Sequence, residues 1–151
     1  MIRKATKSDI DWMVELSHQK RLAYSQEQPN FWKMAKNSDE IQKKWFEKEI
    51  EKENVVALVY KKQQGFIIGK LVAPPEVYDA GLTLMIDDFC IKSEDLWVTI
   101  GKELLDECQR KAKNMGAKQT LVVCGDHDMQ KFSLLETMDM NVASRWYTKT
   151  I

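Results

Sequence analysis

The apolar positions of the first fifty residues recur at helical spacing. Thr6 to Asp9 offers capping side chains ahead of Ile10, Met13, Val14 and Leu16, which share one helical face. The periodicity lapses from Arg21 to Asn37, where Tyr24, Pro29, Phe31 and Trp32 lie in a polar, aromatic stretch that reads as a loop. Asn37 or Ser38 can cap a second helix carrying Ile41, Trp45 and Ile50 between charged residues. The texture changes at Asn54. Val55 to Tyr60 and Phe66 to Val72 are β-branched apolar runs around a turn-like Lys61 to Gly65, which predicts a hairpin. Pro74 and Pro75 open a loop before a further strand, Leu82 to Ile91. Leu96, Ile100, Leu104, Leu105, Cys108, Ala112 and Met115 then trace an amphipathic helix that ends near Gly116. Thr120 to Cys124 predicts a short strand buried on both faces, Met129 to Met138 a helix, and Val142 to Thr148 a closing strand. Met1 to Ala5 is β-like.

The order is thus β, α, α, β, β, β, α, β, α, β. A strand–helix–strand crossover after antiparallel strands places its two strands parallel, so the expected class is α/β, a mixed sheet with helices on both faces. The 151 residues suit a single domain, 1–151. Charged residues make up 30% of the chain, but 23 Lys and Arg balance 23 Asp and Glu. That balance removes the electrostatic term nucleic-acid binding needs, so no nucleic-acid partner is expected. No apolar run approaches the roughly 18 residues of a membrane span, and no leader pattern opens the chain, so no membrane partner is expected. Cys90, Cys108 and Cys124 form no CxxC or Cys/His cluster. Reduced thiols in a cytoplasm and no metal site are the expectation.

Several segments together carry a resemblance that covers nearly the whole chain. They are Ile2-Arg3-Lys4-Ala5-Thr6 with Asp9, Phe66-Ile67-Ile68-Gly69, Asp87-Asp88-Phe89-Cys90-Ile91, and Thr99-Ile100-Gly101-Lys102-Glu103-Leu104-Leu105. In this order and spacing the chain resembles a divergent member of the GNAT acetyltransferase family. The resemblance implies a GNAT-like mixed sheet of about six to seven strands. It also implies acetyl-CoA as co-substrate, no metal, and an amine acceptor, small molecule or peptide. A homodimer is a further candidate partner. Phe89, Cys90 and Ile91 would then offer backbone groups to the pantetheine arm. Thr99, Ile100, Gly101 and Lys102 would offer helix N-terminal N–H groups to the diphosphate.

The chain departs from the family pattern at named places. Leu96 stands at the usual Arg or Gln of the diphosphate loop and Thr99 at its first Gly. Asp128, Lys131 and Leu135 stand at the Asn, Ala and Tyr of the later motif. Leu135 cannot protonate a departing thiolate as the Tyr does. These losses suit an alternative reading, a catalytically inactive CoA-binding or protein-interaction module. A helix starting at Ser93, with Glu94 and Asp95 in its first turn, competes with a start near Thr99 and would consume the N–H groups of the cradle.

Acyl transfer to an amine needs a base and an acid. Asp87 and Asp88, on opposite faces by plain strand alternation, are candidate bases. His127, between Asp126 and Asp128, is a candidate proton carrier, although turn composition also accounts for that stretch. Tyr24, Phe31 and Trp32 are candidate walls for the acceptor, by analogy with the family.

Overall fold

The computed structural model describes residues 1–151. One five-stranded sheet runs in the order β1 (Ile2–Lys4), β2 (Val55–Tyr60), β3 (Gly65–Val72), β4 (Thr83–Ile91), β5 (Gln119–Val122). The first four strands are antiparallel neighbours, and β4 pairs with β5 in parallel. Helices α1 (Ile10–Glu27) and α2 (Ser38–Glu49) cover one face; α3 (Lys102–Asn114) and α4 (Met129–Thr137) belong to the other. The two cores follow from alternation along the strands. Ala57, Val59, Phe66, Ile68 and Cys90 pack against Ile10, Met13 and Phe46, whereas Val56, Leu58, Ile67 and Phe89 pack against Leu104, Leu105, Cys108 and Leu134.

The entry from β1 into α1 is fixed by Asp9, which is 3% exposed. Its carboxylate accepts both Arg3 guanidinium nitrogens at 2.7 and 2.8 Å, the Thr6 N–H at 2.9 Å and the Trp12 indole N–H at 3.1 Å. The Arg3 guanidinium and these donors, against the cost of burial, hold the Asp9 carboxyl well below the usual carboxylate range.

Four expectations change. The sheet has five strands, not six to seven, because Val142 to Thr148 lies in no ladder. Strand propensity is realised only through a paired neighbour, and within the chain this segment has none. The stretch from Arg21 is not all loop: α1 continues to Glu27, held by buried Tyr24 and by Arg21, which donates to Asp39 at 2.6 Å. β5 is an edge strand, with Leu121 44% exposed and Val123 beyond it 47% exposed, not a strand buried on both faces. Finally, winding after β4 begins at Glu94. Residues Glu94–Leu96 form a tight turn, Trp97–Gly101 a wide i to i+5 turn, and α3 follows without interruption.

Candidate active site

β4 carries one residue too many for its partner: the register with β3 shifts between Ile68, opposite Asp88, and Gly69, opposite Ile86. Asp87 is the extra residue of a β-bulge. Beyond it the two parallel strands part, because the last β4–β5 pair is Ile86 with Val122. Lys92 N–H donates to the Gln64 carbonyl at 2.9 Å. Alternation then turns the N–H and C=O of Cys90 toward β3 and those of Phe89 and Ile91 toward the gap. Of the three residues expected to offer backbone groups, two face the gap and Cys90 does not.

The gap opens into a cleft of about 840 Å³ between α1, the end of β4, the turn at Ser93 to Trp97 and the start of α4. Tyr24, Lys20, Phe89, His127 and Asp128 are among its walls. The Tyr24 hydroxyl donates to Asp128 at 3.1 Å and accepts the Gly125 N–H at 3.2 Å. Burial and the Asp128 carboxylate push the Tyr24 hydroxyl pKa up. The Tyr24 ring meets His127 edge-on at 4.6 Å. Gly125 permits this approach: a Cβ there would stand 2.8 Å from His127 Cε1 and 3.1 Å from Tyr24 Cε2. Trp32 packs edge-on against Tyr24 at 5.4 Å and Phe31 against Trp32 at 4.5 Å. Tyr24 therefore faces the cleft, while Trp32 and Phe31 buttress it from outside the lining.

The acidic pair is placed otherwise than alternation suggests. Asp88, 5% exposed, forms an ion pair with Lys20, accepts Ser17 Oγ at 2.9 Å and Cys90 Sγ at 3.3 Å, and has Gln42 at 3.4 Å. Burial opposes its charge, but Lys20 and these donors outweigh it and lower its pKa. A carboxylate saturated with donors is a weak base, and the Lys20 and Ser17 contacts of Asp88 tie α1 to β4. Asp87 is half-buried and absent from the cleft lining. Burial raises its pKa, and the charges acting on it are Lys70, Glu49 and Asp88, those of the α1/α2 face. The bulge therefore brings both aspartates to one side of the sheet.

The turn expected to cradle a diphosphate is also different. Trp97 N–H donates to the Glu94 carbonyl, and Lys102 N–H donates to the carbonyls of Thr99 and Trp97. The Thr99 hydroxyl donates to the Leu96 carbonyl at 3.3 Å. Ile100 is buried in the core. Gly101 is buried as well: an added Cβ would meet Trp97 Cε3 at 2.9 Å and Leu134 Cδ2 at 3.1 Å. Its small size serves the packing of Trp97, which stacks edge-on with Phe89 at 4.8 Å. The helix thus starts near Ser93, and the N–H of Lys102 is spent inside it.

Two cationic residues were missed in the sequence. Lys20 lies on the inner stripe Ile10, Met13, Ser17, Lys20, Tyr24 of α1, and Lys131 on the stripe Lys131, Leu134, Leu135, Met138 of α4. A lysine on an inward stripe was the available signal. Lys131 is 4% exposed and in no ion pair or side-chain hydrogen bond. Its Nζ stands 5.7 Å from the Phe89 ring centroid and 5.9 Å from that of Trp97, two walls of the cleft. Burial and then the Lys20 charge lower its pKa, against the pull of Cys124, Asp128 and Cys90. Burial pushes the Cys124 thiol up to about 11 and leaves it protonated. No group of three or more His, Cys, Asp and Glu side chains is placed to hold a metal ion. No helix is long and apolar enough to cross a membrane.

A mixed sheet whose parallel strands part beside a bulge is the fold of the GNAT acetyltransferases, and the chain has that fold. A mutant of the BH1408 protein from Bacillus halodurans superimposes with a TM-score of 0.87 at 16% identity, over 100% of this chain and 99% of that one. The aminoglycoside N-acetyltransferase AAC(6')-Iy, in complex with CoA, matches with a TM-score of 0.73 at 12% identity, over 100% of this chain and 93% of that one. A predicted acetyltransferase from Clostridium acetobutylicum, with acetyl-CoA, gives a TM-score of 0.73 at 13% identity, over 99% of this chain and 95% of that one. No protein-family model and no curated protein sequence matches the chain.

Proposed function

We propose that the cleft transfers an acetyl group from acetyl-CoA to an amine. The observation that carries this reading is the parting of β4 from β5, which turns the N–H and C=O of Phe89 and Ile91 toward an open cleft. An extended pantetheine arm has amide groups that can pair there as an added strand does. Acetyl-CoA supplies a thioester whose carbonyl carbon an amine can attack directly. The diphosphate does not fit the expected turn at Thr99 to Lys102, because of the winding from Glu94 and the packing of Trp97 on Gly101. Lys92, exposed at the cleft and in no ion pair, is the cation this reading assigns to it.

Among the candidate proton carriers, His127 is the one that lines the cleft with its imidazole against Tyr24. In this reading His127 takes the proton released by the acceptor amine. Lys131, whose Nζ stands against the Phe89 and Trp97 walls but outside the lining itself, gives a proton through water to the sulfur as the C–S bond breaks, and regains one from solvent. Its ammonium lacks a carboxylate partner, so an anion forming beside it lowers the cost of its burial. The acceptor enters between α1 and His127, past Tyr24.

A second reading, a module that binds without turnover, is favoured by the Trp97 side chain and the wound helix start. Calorimetry with acetyl-CoA, then thiol release over a panel of amines, separates the two. Binding with turnover supports the enzyme. Binding without turnover on any amine leaves the module, and no binding removes the coenzyme from both.

A further inference from the structure

The Tyr24 hydroxyl, near the end of α1, uses its donor and its acceptor capacity on one loop, Gly125 to Asp128 between β5 and α4. It donates to Asp128 Oδ2 and accepts the Gly125 N–H. The loop also closes on itself: Asp128 N–H donates to the Gly125 carbonyl at 2.9 Å, and Met129 N–H to the His127 carbonyl at 3.0 Å. The other oxygen of the same carboxylate, Asp128 Oδ1, caps α4 by accepting the Lys131 N–H at 3.4 Å. No side chain hydrogen-bonds the His127 imidazole, so its place depends on this loop and on the Tyr24 ring. That ring is itself clamped, with His127 edge-on to one part and Trp32 to another. Burial, then the Asp128 charge, push the hydroxyl pKa up, so the proton it donates stays in place.

We infer that Tyr24 is a positioning residue, whose hydroxyl fixes the His127 imidazole and the first turn of α4 together against α1. One phenol then sets both proton carriers, His127 directly through its loop and Lys131 through the Asp128 cap. The use made of this tether rests on the acetyl-transfer reading; the tether itself does not. Without the hydroxyl, the Gly125 N–H and one Asp128 oxygen lose their partner in the protein and turn to water, which leaves the loop free to shift. Such a shift matters because a proton carrier acts only at hydrogen-bond reach of the reacting group. A displacement of about 1 Å can cost on the order of 10²-fold in rate. Tyr24→Phe isolates the effect, since it keeps the ring between His127 and Trp32 and removes only the oxygen.

Proton NMR of the full chain tests it without any turnover. The chain has two histidines, so His127→Gln assigns the ring protons of His127. In the wild type the perpendicular Tyr24 ring displaces these resonances by its ring current. In Tyr24→Phe they move toward their unstructured positions, and amide exchange at Gly125 speeds up. Thiol release with an amine acceptor falls roughly 10–10²-fold in kcat, while the KM for acetyl-CoA stays unchanged because Phe89, Ile91 and Lys92 are untouched. Asp128→Asn keeps both an acceptor for the hydroxyl and a cap for α4, and retains the ring shifts. Asp128→Ala loses them, and adding Tyr24→Phe to it lowers kcat no further. Unmoved His127 resonances with unchanged Gly125 exchange overturn the inference, whatever the turnover. Moved resonances with wild-type kcat overturn it as well, since the tether then serves no proton carrier. A wild type that releases no thiol with any amine removes the acetyl-transfer reading instead, and the ring shifts still decide the tether.

Discussion

Replacing Lys131 with Met should raise stability while it removes turnover. Met keeps most of the aliphatic stem against Phe89 and Trp97 and deletes the ammonium. Burying an unpaired cation costs several kcal/mol even after relaxation. Two aromatic faces return about 0.5–2 kcal/mol each. The difference leaves an expected gain of about 1–2 kcal/mol at neutral pH, which in a domain of this size raises Tm by roughly 2–8 °C. The gain must depend on pH. The folded pKa of Lys131 lies below its unfolded value, near 10.4. Between the two values the unfolded chain binds more protons than the folded one, so wild-type stability climbs relative to the variant. The advantage of Met is therefore full below the folded pKa and gone by about pH 10.4. Loss of a general acid should lower turnover by about 10²–10⁴-fold. Lys131→Arg should not restore it, because a guanidinium holds its proton. Thermal melts from neutral to alkaline pH, with single-turnover thiol release, read both effects. A variant less stable than wild type at neutral pH refutes the electrostatic account, and turnover within a few-fold of wild type refutes the catalytic one.

Three further outcomes follow from the packing of the fold and the site. Asp88→Asn leaves Lys20 uncompensated and should cost about 3–5 kcal/mol in denaturant titration, with no displacement of the pH–rate profile; a displaced profile would restore Asp88 as the base. Because Asp88 and Asp9 have folded pKa values below the unfolded one near 3.9, the stability they contribute is present above that value and lost as pH falls through the folded one. An acid unfolding curve should accordingly lose its steepest part in Asp9→Asn. Gly101→Ala presses a methyl onto Trp97 and Leu134 and should cost about 1–3 kcal/mol, with nucleotide binding affected only through stability.

Much of the fold was legible in periodicity. The hairpin of β2 and β3, the crossover from β4 through α3 to β5, and α4 all follow from alternation or helical stripes, which reflect one buried face per element. The site was less legible. Asp87 and Asp88 alternate on paper, but a bulge opposite Ile68 and Gly69 brings both to one face, and nothing local in the sequence marks an extra residue in a ladder. Lys20 and Lys131 were visible as polar residues on inward stripes. Their roles depend on what stands opposite, Asp88 for the first and two aromatic rings for the second.

Local chemistry therefore determined the β2–β3 hairpin, the helical stripes of α3 and α4 and the α/β class, because each depends on repeats within single elements and on their order. Tertiary structure decided where the helix after β4 begins, which aspartate is neutralised, and where an ammonium lies unpaired. Those depend on distances between residues far apart in the chain, such as Lys20 to Asp88 and Lys131 to Phe89, and only packing sets them. The fate of Val142 to Thr148 shows the same division: its composition marks it as a strand, but a strand exists only beside the neighbour whose N–H and C=O groups it meets.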